Sequence, residues 1–208
     1  MGTRRTSEKI RETPFYVSEG DAPAKRKILV TALHLFVRDG LCETSIRDIA
    51  RESGFSNPAL FKHFPSKEAL AVYLFECCYL ELFYLLSRAM QSEKIFSARQ
   101  HAAVNAFMAA LERDMDSVLF VQESLRHFWP KMPAAVRRLS ILGEVHKLLE
   151  AGRKEGAVTG SIEIGLLANA WIGTLQQYAR VCYFGSLPQP SPAVATALEE
   201  LLTRTVRA

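Results

Sequence analysis

Apolar residues recur along this chain at helical spacing almost from end to end. Ile28, Ala32, Leu35 and Phe36 form one stripe of a first helix, and Gly40 follows where a left-handed stop belongs. Thr44-Ser45 opens a second helix with Ile46, Ile49 and Ala50 inside. Ser45 and Asp48 have the form of a capping box with a shorter acid, and Ser53-Gly54 ends the helix. Ser56 caps a third, barely two turns long, with Pro58 in the first turn, where a missing N–H costs nothing. Ser66 opens a fourth that runs to about Gln91 and is apolar on two sides, so it is packed on two sides. Further helices are expected at about 97–114, 116–128, 133–155, 161–184 and 192–206. Pro130, Pro133, Gly156, Gly160 and the proline-rich stretch 186–192 punctuate them. No alternating strand pattern and no internal repeat appears. The expectation is an all-α chain of about nine helices: a flexible arm over 1–22, a three-helix head over 23–67 and a larger helical domain over 68–208.

Composition adds a partner. The 208 residues are 49% hydrophobic and 23% charged, with a net charge of +4. Residues 1–67 hold 12 Lys/Arg against 8 Asp/Glu, whereas 68–208 balance at 14 of each. All the excess positive charge therefore lies in the first third, which suits a polyanion. Arg4, Arg5, Lys9 and Arg11 of the arm either extend that surface or belong to a disordered tail. Cys42, Cys77, Cys78 and Cys182 form no CxxC pair, and no signal peptide precedes them, so a reduced cytoplasmic protein is expected. The uncharged runs 164–179 and 181–198 carry amides or three prolines, and neither reads as a membrane span.

Two short helices joined by Gly54-Phe55-Ser56 make a helix-turn-helix. Its second helix needs an inner face for anchoring and an outer face for base edges in the major groove. Leu60 and Phe64 serve as anchors, leaving Asn57, Pro58, Phe61 and Lys62 outward. An exposed Phe61 suits a thymine methyl, and Lys62 and Lys67 suit phosphates.

The segment TSIRDIARESGFSNPALFKHFPSKEAL, within residues 26–70, resembles the DNA-binding head of the TetR family of bacterial transcriptional repressors. The match covers about 45 residues without a gap, and the Phe-Pro-Ser-Lys-Glu-Ala-Leu ending is its most specific part. The resemblance implies that Thr44, Ser45 and Arg47 belong to the helix that steadies the head on the DNA backbone. It implies that Ser56, Asn57, Pro58 and Ala59 open the recognition helix, and that His63 and Lys67 touch phosphate. Phe61 departs from the tyrosine usual there and lacks its hydroxyl. A ligand-responsive, homodimeric repressor of a pseudo-palindromic operator is implied.

The remainder of the chain carries no motif, but large side chains accumulate in it. Phe83, Tyr84, Phe107, Met108, Phe120, Trp129, Trp171 and Gln176 are the candidate walls of a pocket for a small apolar or aromatic effector, with Asn105 and Gln122 as further polar groups. Residues 161–206, with Ile164, Leu167, Ala168, Trp171, Leu175, Tyr178 and Val181, are the expected dimer interface. No hydrolase, metalloprotease or nucleotide-binding motif is present, so no enzyme, cofactor or metal is expected. The alternatives are a metal- or thiol-sensing DNA-binding regulator using Cys77, Cys78 or Cys182, and a helical adaptor that does not bind DNA.

Overall fold

A computed structural model describes residues 14, 16–18 and 20–207. The arm cations Arg4, Arg5, Lys9 and Arg11 lie outside the described residues. The chain divides into two compact units, residues 1–71 and 72–208.

The first unit holds α1 (Pro23–Arg38), α2 (Ile46–Ser53), α3 (Asn57–Phe61) and the beginning of α4 (Lys67–Gln91). Its core includes the stripe the spacing anticipates: Ile28, Ala32, Leu35 and Phe36 from α1, Ile49 from α2, Leu60 from α3 and Leu70 from α4 are all buried, and Leu29 and Leu33, outside that stripe, are buried with them. Burial starts earlier than the expected end of the arm, because Tyr16 and Val17 are also enclosed. Gly40 and Gly54 sit at φ +93° and +77°, the left-handed values that close α1 and α2.

The second unit holds the rest of α4, then α5 (Phe96–Phe128), a 3-10 turn (Trp129–Lys131), α6 (Ala134–Arg137), α7 (Ile141–Lys154), α8 (Ile164–Tyr183) and α9 (Pro192–Val206). The two helices expected at 97–114 and 116–128 form one element with a sharp break at Asp114 (φ −159°, ψ 86°). Asp114 Oδ1 accepts from Ser117 N at 3.2 Å and so restarts the helix as a cap does. The helix expected over 133–155 is instead two, because Ser140 caps α7 by accepting from Gly143 N. By length and composition α4 could cross a membrane, yet half of its most apolar stretch is buried in the protein. Leu74, Phe75, Cys78 and Leu82 on it are core residues. Among the described residues the only β-type pairing is an isolated bridge between Val158 and Arg207.

Candidate DNA-binding surface and effector cavity

Local chemistry sets the geometry of the head. Ser45 Oγ accepts from Asp48 N at 3.2 Å while Asp48 Oδ2 accepts from Ser45 N at 3.0 Å, so the box closes from both sides. The hydrogen bond donated by the Ser45 hydroxyl holds the Asp48 carboxyl below its usual range, with smaller help from the Ser45 amide and Arg51. Ser56 occupies the N-cap position of α3, but its side chain makes no capping hydrogen bond. Leu60 and Phe64 point inward, and Phe61 stands 50% exposed on the opposite side. Pro58 and Lys62 are exposed too; Asn57, Ala59 and His63 are half-buried.

Two expected contact residues have other work. Thr44 is buried, and its hydroxyl donates to Gly40 O at 2.8 Å and Leu35 O at 3.2 Å, which seals the end of α1. Lys67 turns its ammonium into the protein, donating to Leu41 O (2.7 Å), Thr44 O (2.8 Å) and Cys42 O (3.4 Å). These three bonds clamp the turn between α1 and α2. The head's other cations divide the same way. Arg38 pairs with Asp39 and Glu52, and Arg51 with Asp48. Arg47 and Lys62 are exposed and have no such partner among the described residues.

In the second unit a cavity of about 340 Å³ opens between α4, α5, α7 and α8. Of the eight candidates read from sequence, Phe107, Trp129, Trp171 and Gln176 line it. Phe83, Met108 and Phe120 do not; they are buried in the core. Tyr84 is 47% exposed on the outer side of α4. Asn105 is also outside, with its amide on His101. The residues that sequence reasoning missed form stripes: Tyr79, Leu82 and Leu86 on α4, and Asn169, Ile172 and Leu175 on α8. Their i, i+3, i+7 and i, i+3, i+6 spacing was the available signal.

Buried polar links hold these walls. Gln100, 1% exposed, accepts from Trp171 Nε1 at 3.2 Å and donates to Thr203 Oγ1 at 2.7 Å, tying α8 and α9 to α5. Tyr79 donates its hydroxyl to Leu139 O at 2.7 Å and receives Ile141 N at 3.3 Å, which pins the break between α6 and α7. Its ring leans on Trp129 with centroids 4.8 Å apart.

The residues expected at a dimer interface mostly serve the chain's own core. Leu167, Ala168, Trp171, Leu175 and Tyr178 are buried within it. The apolar side chains that α8, α9 and their flanks leave in solvent are different ones: Ile162 (42% exposed), Leu166 (64%), Phe184 (72%), Leu187 (41%) and Leu201 (50%). As for thiol chemistry, Cys78 is enclosed, and burial pushes its thiol well above the ordinary value, away from the reactive thiolate.

The family described as "Bacterial regulatory proteins, tetR family" matches residues 28–74. The chain is 26% identical to the HTH-type transcriptional repressor KstR2 of Rhodococcus jostii over 157 residues, 72% of this chain and 74% of that one. The structure of the ketosteroid transcriptional regulator KstR2 of Mycobacterium tuberculosis superposes with a TM-score of 0.77 at 20% identity, covering 91% of this chain and 98% of that one. FadR of Bacillus subtilis, solved in complex with stearoyl-CoA, gives 0.67 at 15% identity over 88% and 100%.

Proposed function

On the premise that the chain belongs to the TetR family and is a DNA-binding transcriptional regulator rather than an enzyme, we propose that it acts as a homodimeric repressor released from a pseudo-palindromic operator by an apolar small molecule. The observation that carries the effector reading is the cavity of about 340 Å³ with both of the chain's tryptophans, Trp129 and Trp171, in its walls. That volume and the apolar lining with a few amides suit a compact hydrophobic ligand. A similar protein named a ketosteroid transcriptional regulator and another solved in complex with stearoyl-CoA support an apolar body for it.

On the DNA side, α3 offers Asn57, Pro58 and Phe61 for base edges in the major groove, while Arg47 and Lys62 provide phosphate contacts. Coupling runs through α4. A ligand pressing on Tyr79, Leu82 and Leu86 displaces a helix whose first residue, Lys67, clamps the turn ahead of α2. Turning a 99:1 equilibrium fully over needs roughly 10⁴-fold preference for the released state.

The test has two stages. Selection of bound fragments from random DNA yields an operator, expected to be two half-sites about one helical turn apart or a multiple of it. Titration of that complex with apolar compounds, followed by tryptophan fluorescence and by DNA anisotropy, is expected to show binding and release together. Compounds that occupy the cavity and leave operator affinity unchanged would overturn the effector half of the reading.

A further inference from the structure

We infer that the cavity takes its effector uncharged, so that it accepts a carboxamide and rejects the carboxylate or ammonium of the same shape. This rests on the cavity being the effector site. Among the described residues every side chain in the wall is neutral. Beside the apolar ones, the polar groups are Tyr79, Ser140 and the amides Gln122, Asn169 and Gln176. Burial pushes the Tyr79 phenol above its ordinary value, so it too stays uncharged at neutral pH.

Charge lies beside this cavity, not in it. A second hollow of about 250 Å³, one turn further along α4 and α7, is where Arg99, Glu144 and Lys147 gather. There Glu144 accepts from Lys147 at 2.7 Å, from Ser87 at 3.3 Å and from Gln91 at 3.4 Å. Dipoles in the first cavity do not replace a counter-ion. The Tyr79 hydroxyl donates to Leu139 O, and Asn169 donates an amide hydrogen to Gly165 O at 2.8 Å. The start of α7 also reaches the wall, and the amides of a helix start favour anions. Here, however, Ile141 N donates to the Tyr79 hydroxyl, Gly143 N donates to Ser140 Oγ, and Glu144 occupies the first turn. An ion that enters such a wall loses its hydration and meets no opposite charge, whereas a neutral amide loses far less. Side-chain amides offer donor and acceptor alike, so they serve a ligand carbonyl or hydroxyl without choosing between them. What the wall selects on is charge.

The experiment uses the full-length chain and three compact probes built on one cage: 1-adamantanecarboxamide, 1-adamantanecarboxylate and 1-adamantylmethylammonium. Near neutral pH the second and third are fully ionised. None of them absorbs where tryptophan does, and Trp129 and Trp171 both line the cavity, so intrinsic fluorescence reports occupancy. The carboxamide is expected to bind about tenfold or more tightly than either ion. In Gln176→Lys, which places a cation in the wall, the gap between carboxamide and carboxylate is expected to shrink by about tenfold, while the ammonium stays weak. Equal binding of carboxamide and carboxylate by the unmodified protein overturns the inference. So does a carboxamide that fails to bind at millimolar concentration, or a gap that Gln176→Lys leaves unmoved. Operator release is measured in parallel. Ionic probes that release DNA as well as the carboxamide does sink this inference and leave the proposed function standing. A carboxamide preference without release does the reverse.

Discussion

The ammonium of Lys67 lies 2.7 Å from the carbonyl oxygen of Leu41, 26 residues earlier in the chain. With Thr44 O at 2.8 Å, it joins the first residue of α4 to the turn that orients α2. Lys67 and Lys62 carry the same charge five residues apart, and they are expected to behave differently. Lys62→Ala reduces the salt dependence of operator binding by about one unit. Lys67→Met leaves that slope unchanged and lowers the stability of the head by about 1–2 kcal/mol, because it unpairs carbonyls as well as removing a donor. Salt titrations of operator affinity, run beside thermal melts of both variants, separate the two roles. An equal loss of slope in both would return Lys67 to the DNA.

Phe61 is 50% exposed on α3 and has no core function to lose. Phe61→Ala is expected to change which operator sequence is preferred, by ~1–3 kcal/mol at one base pair, with stability within about 0.5 kcal/mol of the parent. Repeating the fragment selection with the variant checks this. An unchanged preferred sequence would remove Phe61 from the base-reading set.

Acid should weaken the head through Asp48. Its carboxyl titrates below the ordinary range, chiefly because of the bond from the Ser45 hydroxyl. A group with a depressed folded pKa adds stability above its unfolded value of about 3.9, and that stability is lost as pH falls through the folded value. Asp21 and Asp39 are shifted the same way, so the contribution of Asp48 is the difference between parent and Asp48→Asn. That difference is expected to be present at neutral pH and to vanish as the pH falls through the folded value. Ser45→Ala removes the same box from the other side and costs about 1 kcal/mol at neutral pH.

Much of the head was legible because its determinants are local. The Ser45–Asp48 box, the Gly54 stop and the Leu60/Phe64 anchors all act within a few residues of themselves, and the chain order states them. The internal bonds of Thr44 and Lys67 were not legible, because their partners, Leu35, Gly40 and Leu41, lie in the last turns of α1 and the turn after it, which only the fold brings near. In the second unit, helical spacing located the break at Asp114 but not the one before Ser140, where a single cap interrupts an otherwise continuous apolar pattern. Aromatic content could not choose a cavity wall. Phe120 is packed in the core while Val121 and Gln122, the next two residues, line the cavity, a distinction of about 100° around one helix.

Packing between α5 and α7 depends on Gly152. A Cβ built there would lie 2.6 Å from a ring carbon of Phe96 and 2.6 Å from a methyl of Val158. Both neighbours are buried, so neither can swing away. Gly152→Ala is expected to lose about 1–3 kcal/mol, the usual cost of overpacking. Chemical denaturation measures it directly. Adding Val158→Ala should recover part of the loss by freeing the space the new methyl needs, and no recovery would mean that the Phe96 ring sets the limit.

The last prediction concerns assembly. Leu166 on α8 and Leu201 on α9 are 64% and 50% exposed, and Ile162 and Phe184, which flank the two ends of α8, are exposed as well. Large apolar side chains grouped on two consecutive helices suit a self-complementary face, on which two-fold symmetry uses every residue twice. Leu166→Glu with Leu201→Glu therefore places four carboxylates in the proposed interface and is expected to give monomers at micromolar concentration in sedimentation. Neither leucine lines the cavity, so ligand titrations of the variant should match the parent. Operator affinity should nonetheless fall by about 10²–10⁴, because two linked heads bind a palindrome with an effective concentration that separate heads lack. A variant that stays dimeric would place the interface elsewhere. A monomer that keeps full operator affinity would remove the need for the two-fold operator.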